Sequence, residues 1–184
     1  MPQLIANIAA GAPAGTETGL LEAIENTAFA TWVRESPSLF AYTGVLSLHA
    51  IGLAFVVGLS SAVALRLLGV APEIPLAPAR KFFALMYAAF WVNALSGIAL
   101  FAASATSLVE NAAFLVKLGF VVLAVVNLRL LKRYAFDEAG LPRDGEPVPA
   151  AAKALAVSCL VLWSAAIVAG RLTAYPGLIG KYFG

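Results

Sequence analysis

Four long apolar runs, none broken by an internal proline, dictate what this chain can become. They cover about residues 37–68, 82–108, 112–131 and 150–174. Each reaches the roughly 20 residues that a helix needs to cross a bilayer. In hydrocarbon the backbone has no water to bond, so a run of this kind is expected to be helical. The prolines fall between the runs instead: Pro72, Pro75 and Pro78 after the first, Pro142, Pro147 and Pro149 after the third. Proline interrupts helices, so its placement marks the connections. Ser36-Pro37 reads as an N-cap followed by proline at the first helical position.

The expected fold class is therefore all-α: an integral membrane four-helix bundle with an N-terminal amphipathic helix on the outer face. The bundle occupies residues 37–175, after an N-terminal extension of residues 1–36 and before a short tail of residues 176–184. Composition agrees. Apolar residues make up 61% of the chain and charged residues 12%, against about 25% charged in soluble domains. Residues 1–15 carry no Lys or Arg, and Gly11 and Pro13 break their apolar part, so they do not read as a signal peptide.

Charge placement sets an expected orientation. Arg66, Arg80 and Lys81 flank the first connection; Arg129, Lys132, Arg133, Arg143 and Lys153 flank the third. These are eight of the twelve Lys and Arg. Arg34, Arg171 and Lys181 fall on the other side. The positive-inside rule then places both termini on the periplasmic side of a bacterial inner membrane. The small net charge of +2 and the lack of a basic stripe give nucleic-acid binding no support.

Residues 16–35 differ from the runs. Leu21, Ile24, Ala28 and Trp32 recur at helical spacing, with Glu22, Glu25 and Asn26 off that stripe. This reads as an amphipathic helix lying on the membrane, docked on a periplasmic partner, or packed over its own bundle. Its acidic polar face disfavours adsorption to anionic lipid. The C-terminal YPGLIGKYFG ends in aromatics that suit an interface.

Chemistry centres on His49, the only histidine, inside a stretch from residue 38 to 65 with no Asp, Glu, Lys or Arg. An ionisable side chain within a span is costly and points to a function, and imidazole is a common metal and haem ligand. With one His and one Cys (Cys159), neither an intrachain disulfide nor a site of several such ligands can form from one chain. Depth limits the partners. Counted from residue 37, His49 lies roughly 16–18 Å into its span, near Asn93, Trp91 and Trp163; Lys117 is roughly 8–9 Å into its own. Gly52, one turn from His49, leaves room for a flat ligand or for close helix packing. Each residue also has a plainer reading: His49 and Asn93 as interhelical hydrogen bonds, Lys117 snorkelling to the interface, Arg171 and Tyr175 as interface anchors, the tryptophans and Cys159 as packing.

The pattern LHAIGLAFVVG around His49 resembles the histidine-bearing first helix of two bacterial membrane families, the HemJ-type protoporphyrinogen oxidases and the CopD-type copper-resistance proteins. FLVKLGFVVLAVVNLRLLKR resembles their lysine-bearing helix, with Asn127 where the HemJ-type helix ends in another histidine. WVRESPSLFAYTGVLSLHAIGLA and FWVNALSGIALFA are similar to a group of uncharacterised bacterial four-helix membrane proteins; the likeness covers about residues 28–175. It implies a four-helix bundle with His49 as haem ligand and Lys117 near the haem edge or a propionate. CopD-type proteins carry further histidines or methionines, whereas this chain has only Met1 and Met86.

Two functions from different classes follow. One is a cytochrome b-like protein holding haem b through His49 as the metal ligand, with Lys117 and Arg171 facing propionates and Gly52, Asn93 and Trp91 lining the site. Such a protein would pass electrons between a periplasmic redox protein and a quinone, or support a porphyrin oxidation. A homo-oligomer could bring a second His49. The other is a non-catalytic membrane anchor or accessory subunit, docking a periplasmic partner or another membrane subunit, with His49 structural. Whether the chain is an enzyme stays open. A carrier is disfavoured, because no span is broken by proline or holds an acidic residue in its core.

Overall fold

The computed structural model describes residues 15–138 and 147–175. Residues 1–14, the tail of residues 176–184, and Arg143 with its loop lie outside the described residues. The rest is all-α, with no strand among the described residues.

Two short helices, α1 (Gly15–Glu25) and α2 (Ala28–Glu35), precede the first span, α3 (Tyr42–Leu67). The second span is α4 (Ala79–Ala102), followed by the single turn α5 (Ala105–Val109). The third, α6 (Ala112–Lys132), widens into a π-helical turn over Arg133–Glu138, and α7 (Ala150–Leu172) is the fourth. These four helices are long and apolar enough to cross a membrane, and the chain is a multi-pass membrane protein. Only 22–28% of the most apolar stretch of each is buried by the protein itself, so most of its apolar surface faces lipid.

Burial follows one stripe per helix. On α3 it runs Gly52, Val56, Ser60, Val63 and Leu67; on α4, Phe83, Met86, Ala89, Ser96 and Ala99. On α6 it runs Ala113, Ala124, Leu128 and Leu131; on α7, Ala152, Ala156, Cys159, Trp163 and Ala166. Lipid is as apolar as leucine, so hydrophobicity does not draw these helices together. Small residues let their backbones approach and gain dispersion contacts instead. α3 packs closely on α4, α6 on α7, and α3 on α7. α4 meets α6 and the π-helical turn after it through rings: Phe101 stacks on Phe114 of α6 at 5.9 Å near one end, and Phe83 meets Phe136 of the turn edge-on at 5.0 Å near the other.

The first end is capped by α1, α2 and α5. The continuous amphipathic helix expected over residues 16–35 is in fact two. Asn26 and Thr27 break it, and Thr27 caps α2 by accepting from the Ala30 N–H. The break shifts the helical phase, so the buried face is Ala30 and Val33, while Ile24, Ala28 and Trp32 of the expected stripe are exposed. Of the three placements open to this segment, the observed one packs it over its own bundle. The Arg34 guanidinium donates to the Ala103 carbonyl at 3.2 Å, and a Glu25 carboxylate oxygen accepts from the Thr106 N–H at 2.9 Å and its hydroxyl at 2.8 Å. Those two bonds hold the Glu25 carboxyl below its ordinary range.

The first span also begins later than its apolar run. Ser36 ends α2, its N–H donating to the Trp32 carbonyl, rather than starting α3. The hydroxyls of Ser36 and Ser38 accept from the Ser38 and Phe40 amides, a side-chain turn that delays the helix until Tyr42. At the opposite end Arg66 donates to the carbonyls of Pro72 (2.7 Å) and Ile74, folding the proline-rich connection back against α3.

Candidate functional site

Starting α3 at Tyr42 moves His49 to seven residues from the helix start, roughly 10 Å by the helical rise, not the 16–18 Å counted from residue 37. It still meets Asn93 of α4. His49 Nδ1 lies 2.9 Å from the Asn93 backbone carbonyl. A carbonyl carries no proton, so this bond exists only if Nδ1 donates. In the neutral ring Nε2 then keeps its lone pair, and it makes no hydrogen bond among the described residues. The Asn93 side-chain amide donates back to the His49 backbone carbonyl at 2.7 Å. The two residues thus bolt α3 to α4 in both directions.

Ser96 joins them. Its hydroxyl lies 3.3 Å from His49 Nδ1 and donates to the Val92 carbonyl at 2.6 Å. Gly97 completes the cradle: a Cβ there would stand 3.1 Å from His49 Cε1 and 3.4 Å from Nδ1. A side chain at position 97 would press on the imidazole, so Gly97 lets the ring sit close to α4. Sequence reasoning missed Ser96 and Gly97. The available signal was spacing, since Ser96 stands at i+3 from Asn93 and so shares its face.

Of the two readings of Gly52, close helix packing is the one observed. The room Gly52 frees is taken by α4 itself, because a Cβ there would come within 2.8 Å of the Asn93 nitrogen and 2.9 Å of the Ala89 carbonyl oxygen. Gly52 sets the closeness of the helices and leaves no space for a flat ligand. Trp91 stands off the His49–Asn93 contact. It is 61% exposed, edge-on to Phe90 on the lipid side, and does not line the site. Residues two apart on a helix point about 200° from each other, so an inward Asn93 sends Trp91 outward.

Lys117 stands on the inward stripe of α6, half-buried, with its stem over Gly170 of α7; a Cβ on Gly170 would meet Lys117 Cδ at 3.3 Å. It makes no hydrogen bond or ion pair among the described residues. Arg171, adjacent to Gly170, is exposed at the rim with its guanidinium 5.7 Å from the Tyr175 ring centre. It shares Lys117's level but does not enter the bundle.

His49, Asn93, Ser96, Gly97 and Lys117 therefore share the capped half of the bundle, with Gly52 setting the helix spacing. They offer one oriented imidazole nitrogen and one lysine side chain with no hydrogen-bond or ion-pair partner among the described residues. No group of three or more metal-ligating side chains occurs among the described residues. Met86 is fully buried two turns farther along α4 from Asn93. The residues present thus fit a group that takes a single nitrogen ligand from this chain and carries negative charge of its own, as a haem with its propionates does. No protein-family model, curated protein or solved structure matches the chain.

Proposed function

We propose that this protein binds haem b through His49 Nε2 and serves electron transfer in a bacterial inner membrane, with both termini periplasmic. The observation that carries the reading is the Nδ1 hydrogen bond to the Asn93 carbonyl, which fixes ring and tautomer and leaves Nε2 available. Metal-ligating histidines characteristically anchor their other nitrogen in this way. Haem would supply the one-electron chemistry. The chain's own residues do the rest: Asn93 and Ser96 orient the imidazole, Gly97 seats it, and Lys117 offers a charge partner to a propionate. The resemblance of the His49 and Lys117 helices to those of HemJ-type proteins supports the same reading. A periplasmic redox protein and a membrane quinone are the proposed electron partners, and a second copy of the chain is one source of a further axial ligand.

The test is a dithionite-reduced minus oxidised spectrum of the detergent-purified protein, with haem quantified per chain. Near-stoichiometric haem with sharp reduced bands is expected, lost in His49→Ala. A flat spectrum from haem-replete cells, or an unchanged spectrum in His49→Ala, refutes the assignment.

A second reading rests on a different observation. The outward face of α1 and α2 displays Leu20, Ile24, Phe29 and Trp32, the last two stacked at 6.4 Å. An accessory subunit docking a periplasmic partner would use such a face, with His49 serving only to bolt α3 to α4. Co-purification of a partner that survives His49→Ala but not Trp32→Ala favours this alternative.

A further inference from the structure

Two polar atoms on the facing stripes of α6 and α7 are sealed in the core without a partner. They are Asn127 Oδ1 and Trp163 Nε1. Asn127 is 7% exposed and Trp163 2%. Buried polar groups in native proteins are nearly always bonded to protein or to ordered water, so each implies something that completes it. The two have opposite requirements: the amide oxygen accepts, and the indole N–H donates.

The helices bring these atoms toward one level. α6 and α7 run antiparallel, clasped where the Asn111 side chain donates to the Thr173 carbonyl at 3.0 Å and where Lys117 lies over Gly170. Counting along both helices from these clasps puts Asn127 opposite the Ser158–Cys159 turn, with Trp163 about one turn nearer the capped end. Helical side chains lean toward their own N-terminus. Trp163 therefore leans toward Cys159, and Asn127 leans toward Trp163. The group one turn below Trp163 is the Cys159 thiol, whose sulfur is a weak acceptor and makes no hydrogen bond with the indole. The Ser60 hydroxyl of α3 is committed elsewhere, donating to the Val56 carbonyl at 2.6 Å.

We propose that a single water molecule is bound between α6 and α7, accepting from Trp163 Nε1–H and donating to Asn127 Oδ1. Water has both functions on one atom, and internal waters typically make about three bonds to such otherwise unsatisfied groups. A ketone or quinone carbonyl could accept from Trp163 but has no proton for Asn127. A larger hydroxyl-bearing ligand would have to displace the surrounding core of Ala124, Leu128, Leu131 and Ala166, each nearly inaccessible. This site lies apart from His49 and holds whether or not the protein binds haem.

The full chain, indole-15N-labelled and reconstituted in lipid, tests this directly. Through-space magnetisation transfer from bound water to each indole proton is measured, with Trp163 assigned by loss of its signal in Trp163→Phe. A water cross-peak at Trp163 Hε1 is expected, and Asn127→Leu should reduce it several-fold. A Trp163 indole proton with no water contact in the wild-type protein overturns the proposal. So does one bonded directly to the Asn127 carbonyl, seen as a scalar coupling across that bond. Because the deciding measurement is made on the wild-type chain, a variant that fails to fold does not blunt it.

Discussion

Gly52→Ala puts the α3–α4 interface under a defined load. The added Cβ would stand 2.8 Å from the Asn93 nitrogen, 0.6 Å inside ordinary contact at 3.4 Å (3.4 − 2.8), and the opposing atoms are backbone, which cannot rotate away. The helices must part by about that distance. The His49 Nδ1 bond to the Asn93 carbonyl, now 2.9 Å, then opens to about 3.5 Å, beyond useful hydrogen-bond length. The reciprocal bond, now 2.7 Å, weakens with it. Overpacking costs about 1–3 kcal/mol, and each lost bond about 0.5–1.5 kcal/mol. Alanine's better helix propensity returns about 1 kcal/mol. The net is a destabilisation of about 1–5 kcal/mol by the same terms, or a Tm lower by about 2–20 °C in a chain of this size. Gly58→Ala is the control in the same helix. Its Cβ would meet nothing within 4 Å, so only the propensity term acts and Tm should hold or rise. Thermal unfolding of both variants in one mild detergent decides the matter. Equal Tm values for the two variants would show that Gly52 is not the contact that sets α3 against α4.

Three further outcomes are expected. Asn111→Ala removes the α6 cap, which accepts from the Ala113 and Phe114 amides, together with the bond to Thr173; a loss of about 1–2 kcal/mol should appear in denaturant unfolding, and an unchanged midpoint would contradict the capping role. Glu25 has its carboxyl lowered by its Thr106 bonds, so its contribution to holding α1 on α5 is present above the unfolded-state value and is lost as pH falls through the folded one. The Thr106 amide resonance should follow that titration with a midpoint below the ordinary glutamate value; a midpoint at or above the ordinary value would dissolve the contact. Ala71 is the one non-glycine residue with positive φ among those described, at 53°. Ala71→Gly relieves a left-handed penalty of about 1–2 kcal/mol at a smaller cost in unfolded-state entropy, so a modest rise in Tm is expected, and a fall would refute the strain.

The four spans were legible because a bilayer demands length and apolarity, and both are properties of composition. Their ends were not. Leu39 and Phe40 are as apolar as any helical residue, yet they sit in a turn, 78% and 82% exposed, because serine hydroxyls bond the amides that would have started the helix. Nor did the 3.6-residue stripe in residues 16–35 survive, since Asn26 and Thr27 interrupt the helix that would have kept Leu21, Ile24, Ala28 and Trp32 on one face. At the site, depth correctly paired His49 with Asn93 and brought Lys117 near them. Depth says nothing of direction around the helix axis, and so it could not show that Trp91 points away from the His49–Asn93 contact. Gly52 could be read as open space or as close packing from sequence; only the position of the Asn93 backbone decides for packing.

The pairing of the helices also bears on how the chain is made. α3 and α4 are neighbours in sequence and are joined by the His49–Asn93 bonds and the Gly52 approach. α6 and α7 are likewise neighbours, clasped by Asn111 and Thr173. Each hairpin can close as soon as its second helix has left the ribosome. The contact between α3 and α7 joins the first span to the last and must wait for both. Until α7 arrives, the α3 surface that packs on it stays uncovered, so the first hairpin spends that interval as a separate two-helix unit held by the bonds between His49 and Asn93 and by the Gly52 approach.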